Sequence, residues 1–125
     1  MTAKLLFFAG SARSKSFNKL LAKSASDIAA DQGAEATFID LADFDMPIYN
    51  QDIEDKDGLP ENAKRLKQIF IDHDGFFIAS PEYNSTFSPL LKNALDWISR
   101  KENDDEPMLA AFNGKTACLA ATSPG

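Results

Sequence analysis

KLLFFAGSARSKSFN, Lys4 to Asn18, changes character in the middle. Its first part is apolar at consecutive positions. Both faces of such an extended segment want burial, as in an inner strand of a parallel sheet. Gly10 breaks the run. The second part holds Ser11, Ser14, Ser16, Arg13, Lys15 and Asn18, and no carboxylate. Ser16 stands where a helix cap belongs, because Phe17, Leu20, Leu21, Ala25 and Ile28 then recur at helical spacing. The stretch reads as strand, turn and helix start, and Gly33 ends the helix.

Working outward, the same alternation repeats. Ala36–Leu41 (ATFIDL) reads as a second strand. An acidic loop, LADFDMPIYNQDIEDKDG, follows it. Pro60 fits the first turn of a second helix with Ala63, Leu66, Ile69 and Phe70 inside. Gly75–Ala79 (GFFIA) is a third buried strand. Ser88-Pro89 caps and opens a third helix, striped by Leu90, Leu91, Ala94, Leu95, Trp97 and Ile98. The acidic stretch ENDDEP ends it, and Lys115–Thr122 (KTACLAAT) is a fourth strand. Strand and helix in alternation predict an α/β fold, a doubly wound parallel sheet with helices on both faces. Ligands of such sheets bind outside the carboxyl ends of the strands. Three polar loops leave those ends: GSARSKSFN, SPEYNSTFS and TSPG. They are expected to converge on one crevice.

Size and charge narrow the classes. A chain of 125 residues, 44% hydrophobic, suits one soluble domain, residues 1–125. A net charge of −6 disfavours nucleic-acid or membrane-surface binding by bulk charge. No apolar run reaches a membrane span, and MTAKLLFFAG suits a strand better than a signal peptide. One cysteine leaves no internal disulfide, so a cytoplasmic location is expected.

The first loop has more donors than a cap requires. A strand-to-helix turn offers free N–H groups and the positive end of a helix dipole, a ready anion site. Arg13 adds a planar fork suited to phosphate oxygens. The competing reading is a capped helix with a solvated basic face, and spacing alone leaves both open. Neither G-x-x-x-x-G-K-[ST] nor G-x-G-x-x-G is present, so a P-loop and a dinucleotide Rossmann site are unsupported. In the second loop, Glu82, Tyr83 and Asn84 sit at the mouth of the crevice. They suit the edge of a polar ring system, or simply a surface tyrosine and a turn asparagine.

GSxRxxSxN after the first strand, PEYN after the third and LKNALDW on the next helix together resemble the NADPH-dependent FMN reductase family. The resemblance covers essentially the whole chain. It implies a flavodoxin-like fold of three layers, α/β/α, and bound FMN with NADPH or NADH as co-substrate. It implies that Ser11, Arg13, Ser16, Phe17 and Asn18 surround the phosphate and ribityl chain. Pro81, Glu82, Tyr83 and Asn84 would flank the isoalloxazine, largely through backbone groups, and Ser123 would sit in a third flavin-contacting loop. The implied reaction moves hydride from NAD(P)H through FMN to a quinone-like acceptor. The implied assembly is a homodimer or homotetramer. The family continues past Gly125 with a helix, a fifth strand and a last helix, so the resemblance implies four of five strands and a C-terminally truncated domain. Two rivals stand beside it: an FMN electron carrier docking to a basic protein partner, and a fold that has lost tight flavin binding.

Nothing else in the sequence demands a role. No side chain stands out as a catalytic acid, base or nucleophile, and hydride chemistry belongs to the flavin. No metal site is expected. Glu102, Asp104, Asp105 and Glu106 read as a solvated turn, and His73 as a capping or surface residue. Cys118 is expected to be buried and inert mid-strand. Tyr49 either approaches the crevice or anchors the acidic loop.

Overall fold

The computed structural model describes residues 2–123. Apolar runs and capped amphipathic segments alternate, and the elements follow them. They are β1 (Lys4–Ala9), α1 (Phe17–Asp31), β2 (Glu35–Phe38), α2 (Gln51–Asp57), α3 (Glu61–Ile71) and β3 (Gly75–Ala79). Then come β4 (Glu82–Tyr83), β5 (Thr86–Phe87), α4 (Pro89–Ile98) and β6 (Thr116–Ala120). Four strands form one parallel sheet in the order β2-β1-β3-β6. This is a flavodoxin-like α/β sheet. The register pairs Leu6 with Phe76 and Phe7 with Phe77. It also pairs Ile78 with Leu119, so alternate residues of three strands share a face.

The two faces are packed differently. Leu6, Phe8, Phe76 and Ile78 meet Leu66, Phe70, Leu91, Ala94 and Ile98 of α3 and α4 in the main core. On the other face α1 lies across β1, β2 and β3, with Ala22 against Ala9 and Ala79. The expected stripe of α1 is therefore corrected. Phe17, Leu20 and Ile28 are 62%, 63% and 62% exposed, while Asn18, Ala22 and Ser26 form the buried line. Small residues at i, i+4 and i+8 let the helix approach the strands closely, which larger side chains would prevent.

Other expectations shift in detail. The second strand ends at Phe38, and the chain leaves it in a 3₁₀ turn over Leu41–Asp43, capped by Asp40. The acidic segment is not simply a loop. Asn50 accepts from the Asp52 N–H at 2.8 Å and opens α2, whose first turn holds Asp52 and Glu54 and whose last holds Lys56 among Asp55 and Asp57. The first-turn acids and Lys56 favour the helix dipole, and Asp57 at the carboxyl end opposes it. The α3 and α4 stripes agree with expectation, and Ser88 caps α4 by accepting from the Leu91 N–H. Gly33 at φ +98° takes the left-handed position that ends α1. Cys118 is exposed, contrary to expectation, because β6 forms an edge with no helix over it among the described residues.

Several polar residues hold this frame. Lys67 is 1% exposed, and its ammonium donates to the Arg100 carbonyl at 2.7 Å and to Glu106, with Glu102 at 3.6 Å. So the acidic turn is not merely solvated: it holds a buried lysine. Burial pushes the Glu106 carboxyl up, but the Lys67 and Glu102 hydrogen bonds and the nearby lysine charges outweigh it and hold it below its ordinary value. The Lys115 ammonium closes the end of α3, donating to the carbonyls of Phe70, Ile71 and His73. The His73 ring sits on the Ile69 carbonyl at 2.6 Å, the capping position expected for it.

Candidate functional site

Gly10 is the hinge of the site. It follows β1, and a side chain on it would meet Ser80 Oγ at 2.9 Å, Ser88 Oγ at 3.0 Å and Leu91 Cβ at 3.2 Å. Only a residue without a Cβ lets the first loop pass so near. Its carbonyl accepts from Ser88 Oγ at 2.5 Å. Ser80 and Ser88 are the two feet of the second loop, so Gly10 joins loops one and two. Asn18 joins loops one and three. Its Oδ1 accepts from the Thr122 N–H at 3.1 Å, and its Nδ2 lies 3.5 Å from the Thr122 carbonyl. The three loops thus converge as the topology predicts.

The first loop ends on the amino terminus of α1. This helix has 15 residues and no acid in its first turn. Ser16, 5% exposed, caps it by accepting from the Lys19 N–H at 3.2 Å. Ser11, 8% exposed, accepts from the Arg13 N–H at 3.2 Å. A hydroxyl used as acceptor keeps its hydrogen for donation, so both serines remain donors. The N–H groups of Phe17 and Asn18 lie in the first turn, where no earlier carbonyl of the helix reaches them. Arg13 and Lys15 are exposed. They line a groove of about 610 Å³ together with Ser14, Ser16, Phe17 and Lys23. Asp40 also faces this groove, but its charge is met by Lys19 at 2.7 Å.

The second loop is a hairpin, which the sequence reading does not anticipate. β4 and β5 pair antiparallel, with Glu82 opposite Phe87 and Tyr83 opposite Thr86. Asn84 and Ser85 form its two-residue turn at φ 54° and 67°. Positive φ at both positions is the type I′ arrangement that suits hairpin twist. Asn tolerates it; Ser pays about 1 kcal/mol or more for it. The Glu82 carboxylate accepts from the Ser85 N–H at 2.7 Å and so holds the turn shut. Tyr83 is 48% exposed. Beneath the hairpin lies an apolar groove of about 530 Å³, which Pro81, Glu82, Phe87, Leu91 and Leu119 help to line.

LKNALDW turns out to be a clamp. Asn93 accepts from the Tyr49 N–H at 2.8 Å and donates to the Pro47 carbonyl at 2.9 Å. Trp97 Nε1 donates to the same carbonyl at 2.7 Å. Tyr49 stacks edgewise on Trp97 at 4.8 Å, and its hydroxyl donates to Glu54 at 2.8 Å. Arg100 closes the group on Glu54 at 2.9 and 3.0 Å. Its hydrogen bond holds the Glu54 carboxyl below the ordinary glutamate range, against the effect of burial. Tyr49 therefore anchors the acidic segment.

Of the expected contacts, Ser11, Arg13, Ser16 and Phe17 gather at the α1 terminus, and Pro81, Glu82, Tyr83 and Asn84 in the hairpin. The Asn18 amide faces Thr122 instead. Ser123 ends the described chain beyond β6, and Pro124 and Gly125 of the TSPG loop lie outside the described residues. Gly10, Ser80 and Thr122 are the residues the sequence reading passes over. Gly10 alone carried a signal, as a glycine on a strand end. Among the described residues no group of acids, histidines and cysteines could hold a metal ion, and no helix is long and apolar enough to cross a membrane.

The chain is similar to proteins of known activity. A 2-hydroxy-1,4-benzoquinone reductase of Burkholderia sp is 38% identical over 125 residues, all of this chain and 63% of its own length. A quinone reductase of Escherichia coli is 33% identical over 93% of this chain and 57% of its own length. The flavoenzyme NAD(P)H:(acceptor) oxidoreductase FerB of Paracoccus denitrificans superposes with a TM-score of 0.78 at 31% identity. That match covers 99% of this chain and 63% of FerB. This chain thus spans about 60% of the length of these relatives. The profile of the NADPH-dependent FMN reductase family matches residues 3–125, and the chain belongs to that family.

Proposed function

We propose that this chain is the flavin-binding part of an oxidoreductase that moves hydride from NAD(P)H through FMN to a quinone-like acceptor. One observation carries the reading. A strand-to-helix turn presents two buried serine hydroxyls, first-turn N–H groups and Arg13, with no carboxylate in the first helical turn. This donor set fits a phosphomonoester: several charge-assisted hydrogen bonds of about 1.5–3 kcal/mol each, added to a favourable dipole. The names of the relatives, quinone reductase and NAD(P)H-dependent FMN reductase, support the reaction class.

Ser11, Arg13, Ser16 and the backbone of Phe17 and Asn18 would hold the phosphate. Pro81 to Asn84 would flank the ring through their main chain, because the Glu82 side chain is already bound within its own turn. Ser123 would complete the third side. Bound FMN supplies hydride acceptance and onward electron transfer. The protein's part is to fix the ring at the strand ends and leave one face open to nicotinamide and acceptor in turn.

Two measurements test this. Arg13→Ala should weaken FMN binding up to about a hundredfold and leave riboflavin, which lacks the phosphate, unchanged. Equal losses for both ligands would make the loop structural. Anaerobic mixing with NADPH or NADH should bleach the bound flavin with saturation in nicotinamide. Slow, unsaturable bleaching would mark an electron carrier instead.

A further inference from the structure

We propose that Asn18 is a positioning residue: it straps the loop after β6 to the first turn of α1 and so sets affinity at the ring end of the flavin. The proposal rests on the flavin reading above. Asn18 is 5% exposed, and both ends of its amide meet one residue. Oδ1 accepts from the Thr122 N–H at 3.1 Å, and Nδ2 faces the Thr122 carbonyl at 3.5 Å. The pairing fixes the amide's orientation, since the flipped form would set N–H against N–H. An amide so held does not point at a phosphate. The strap spans 104 residues of sequence. It joins a helix rooted on β1 to a loop leaving β6, two strands that β3 separates in the sheet. Thr122 and Ser123 leave the carboxyl end of β6 beside the Ser80 foot of the hairpin, whose N–H donates to the Ala120 carbonyl at 2.9 Å. Releasing Thr122 frees the third wall of the crevice and leaves the phosphate turn in place.

The test uses Asn18→Ala, with the near-isostere Asn18→Leu as a second variant that keeps the packing if alanine does not fold. Amide exchange at Thr122 in the flavin-free protein should rise about fivefold or more, the loss of one ordinary hydrogen bond. Dissociation constants for FMN and riboflavin, taken well below the melting transition, should rise by the same factor. Arg13→Ala, by contrast, should raise only that for FMN. Unchanged Thr122 exchange would refute the strap. Loss of FMN affinity with riboflavin unmoved would assign Asn18 to the phosphate and also overturn it. A purely structural role would lower the melting temperature and leave both dissociation constants alone, again overturning it. If the wild-type chain takes up neither flavin, the reading of function falls, and the flavin part of this proposal with it. The exchange measurement still decides whether the strap exists.

Discussion

Gly10→Ala is a one-carbon change whose cost can be worked from the structure. The added Cβ would lie 2.9 Å from Ser80 Oγ, 3.0 Å from Ser88 Oγ and 3.2 Å from Leu91 Cβ. Ser80 can rotate away, at the expense of its 3.1 Å bond to the Pro81 carbonyl. Ser88 cannot move so freely, because its hydroxyl both donates to the Gly10 carbonyl and caps α4. Leu91 is fixed in the core on α4. The methyl must therefore push the amino terminus of α4 away from β1. Overpacking of this kind costs about 1–3 kcal/mol. A weakened Ser88 cap adds up to about 1 kcal/mol. Alanine also narrows the unfolded ensemble, which gives back about 0.4–1 kcal/mol. The balance is a loss of about 1–3 kcal/mol. Denaturant unfolding should show a lower midpoint at constant slope, and heating should show a drop of several degrees. The same shift moves both feet of the hairpin, so flavin affinity should fall for FMN and riboflavin alike. Ser80→Gly in the same chain removes the nearest clash and should restore part of the loss. Stability of Gly10→Ala within about 0.5 kcal/mol of wild type would refute the close-approach argument.

The buried Lys67 pair predicts an asymmetry. Glu106→Ala removes the nearest counter-charge of a buried ammonium, leaving it the Arg100 carbonyl and Glu102 at 3.6 Å, and should cost about 2–3 kcal/mol, less than for a fully buried pair because Glu106 reaches solvent. Lys67→Met fills the same space without charge and should cost less; the reverse order in urea unfolding would refute the account. Trp97→Phe loses the bond to the Pro47 carbonyl and some ring volume, and should cost about 1–3 kcal/mol by the same assay. The pH dependence follows from Glu54, whose carboxyl is depressed chiefly by the Arg100 hydrogen bond. Its stabilisation is present above the ordinary glutamate value of 4.5 and is lost as pH falls through the lower folded value. Glu54→Gln should flatten the acid limb of the stability curve below the ordinary glutamate value of 4.5; an unchanged limb would refute it. Among the described residues β6 is an apolar edge with Leu119 75% exposed, so residues 1–125 taken alone should self-associate, and Leu119→Lys should reduce this in light scattering.

Much of the fold was legible because burial on both faces writes continuous apolar runs. KLLFFA and GFFIA could be little else than inner strands, and Ser88-Pro89 or Pro60 marked helix starts that the structure keeps. What the sequence concealed was depth. The apolar positions of α1 have helical spacing, yet Phe17, Leu20 and Ile28 lie outside. Periodicity reports that a helix has two faces; it does not say which the sheet takes when a row of small residues offers closer approach. The hairpin was hidden for a related reason. Glu82 to Phe87 is too short for an alternating pattern, and its turn is built on Asn84 and Ser85 without the glycine that usually marks positive φ. Ser85 is held in that region against its local preference, with its N–H bonded to the Glu82 carboxylate. The site was legible as a list of donors but not as a division of labour. Composition put Asn18 beside Arg13 as one more donor. Only the fold shows that the asparagine reaches 104 residues along the chain to Thr122, whereas the arginine stays exposed at the α1 terminus. Donors of one loop are thus sorted by what lies behind them. In the proposed site Asn18, turned to Thr122, would shape the crevice, while Arg13 at the opening would be left for the phosphate.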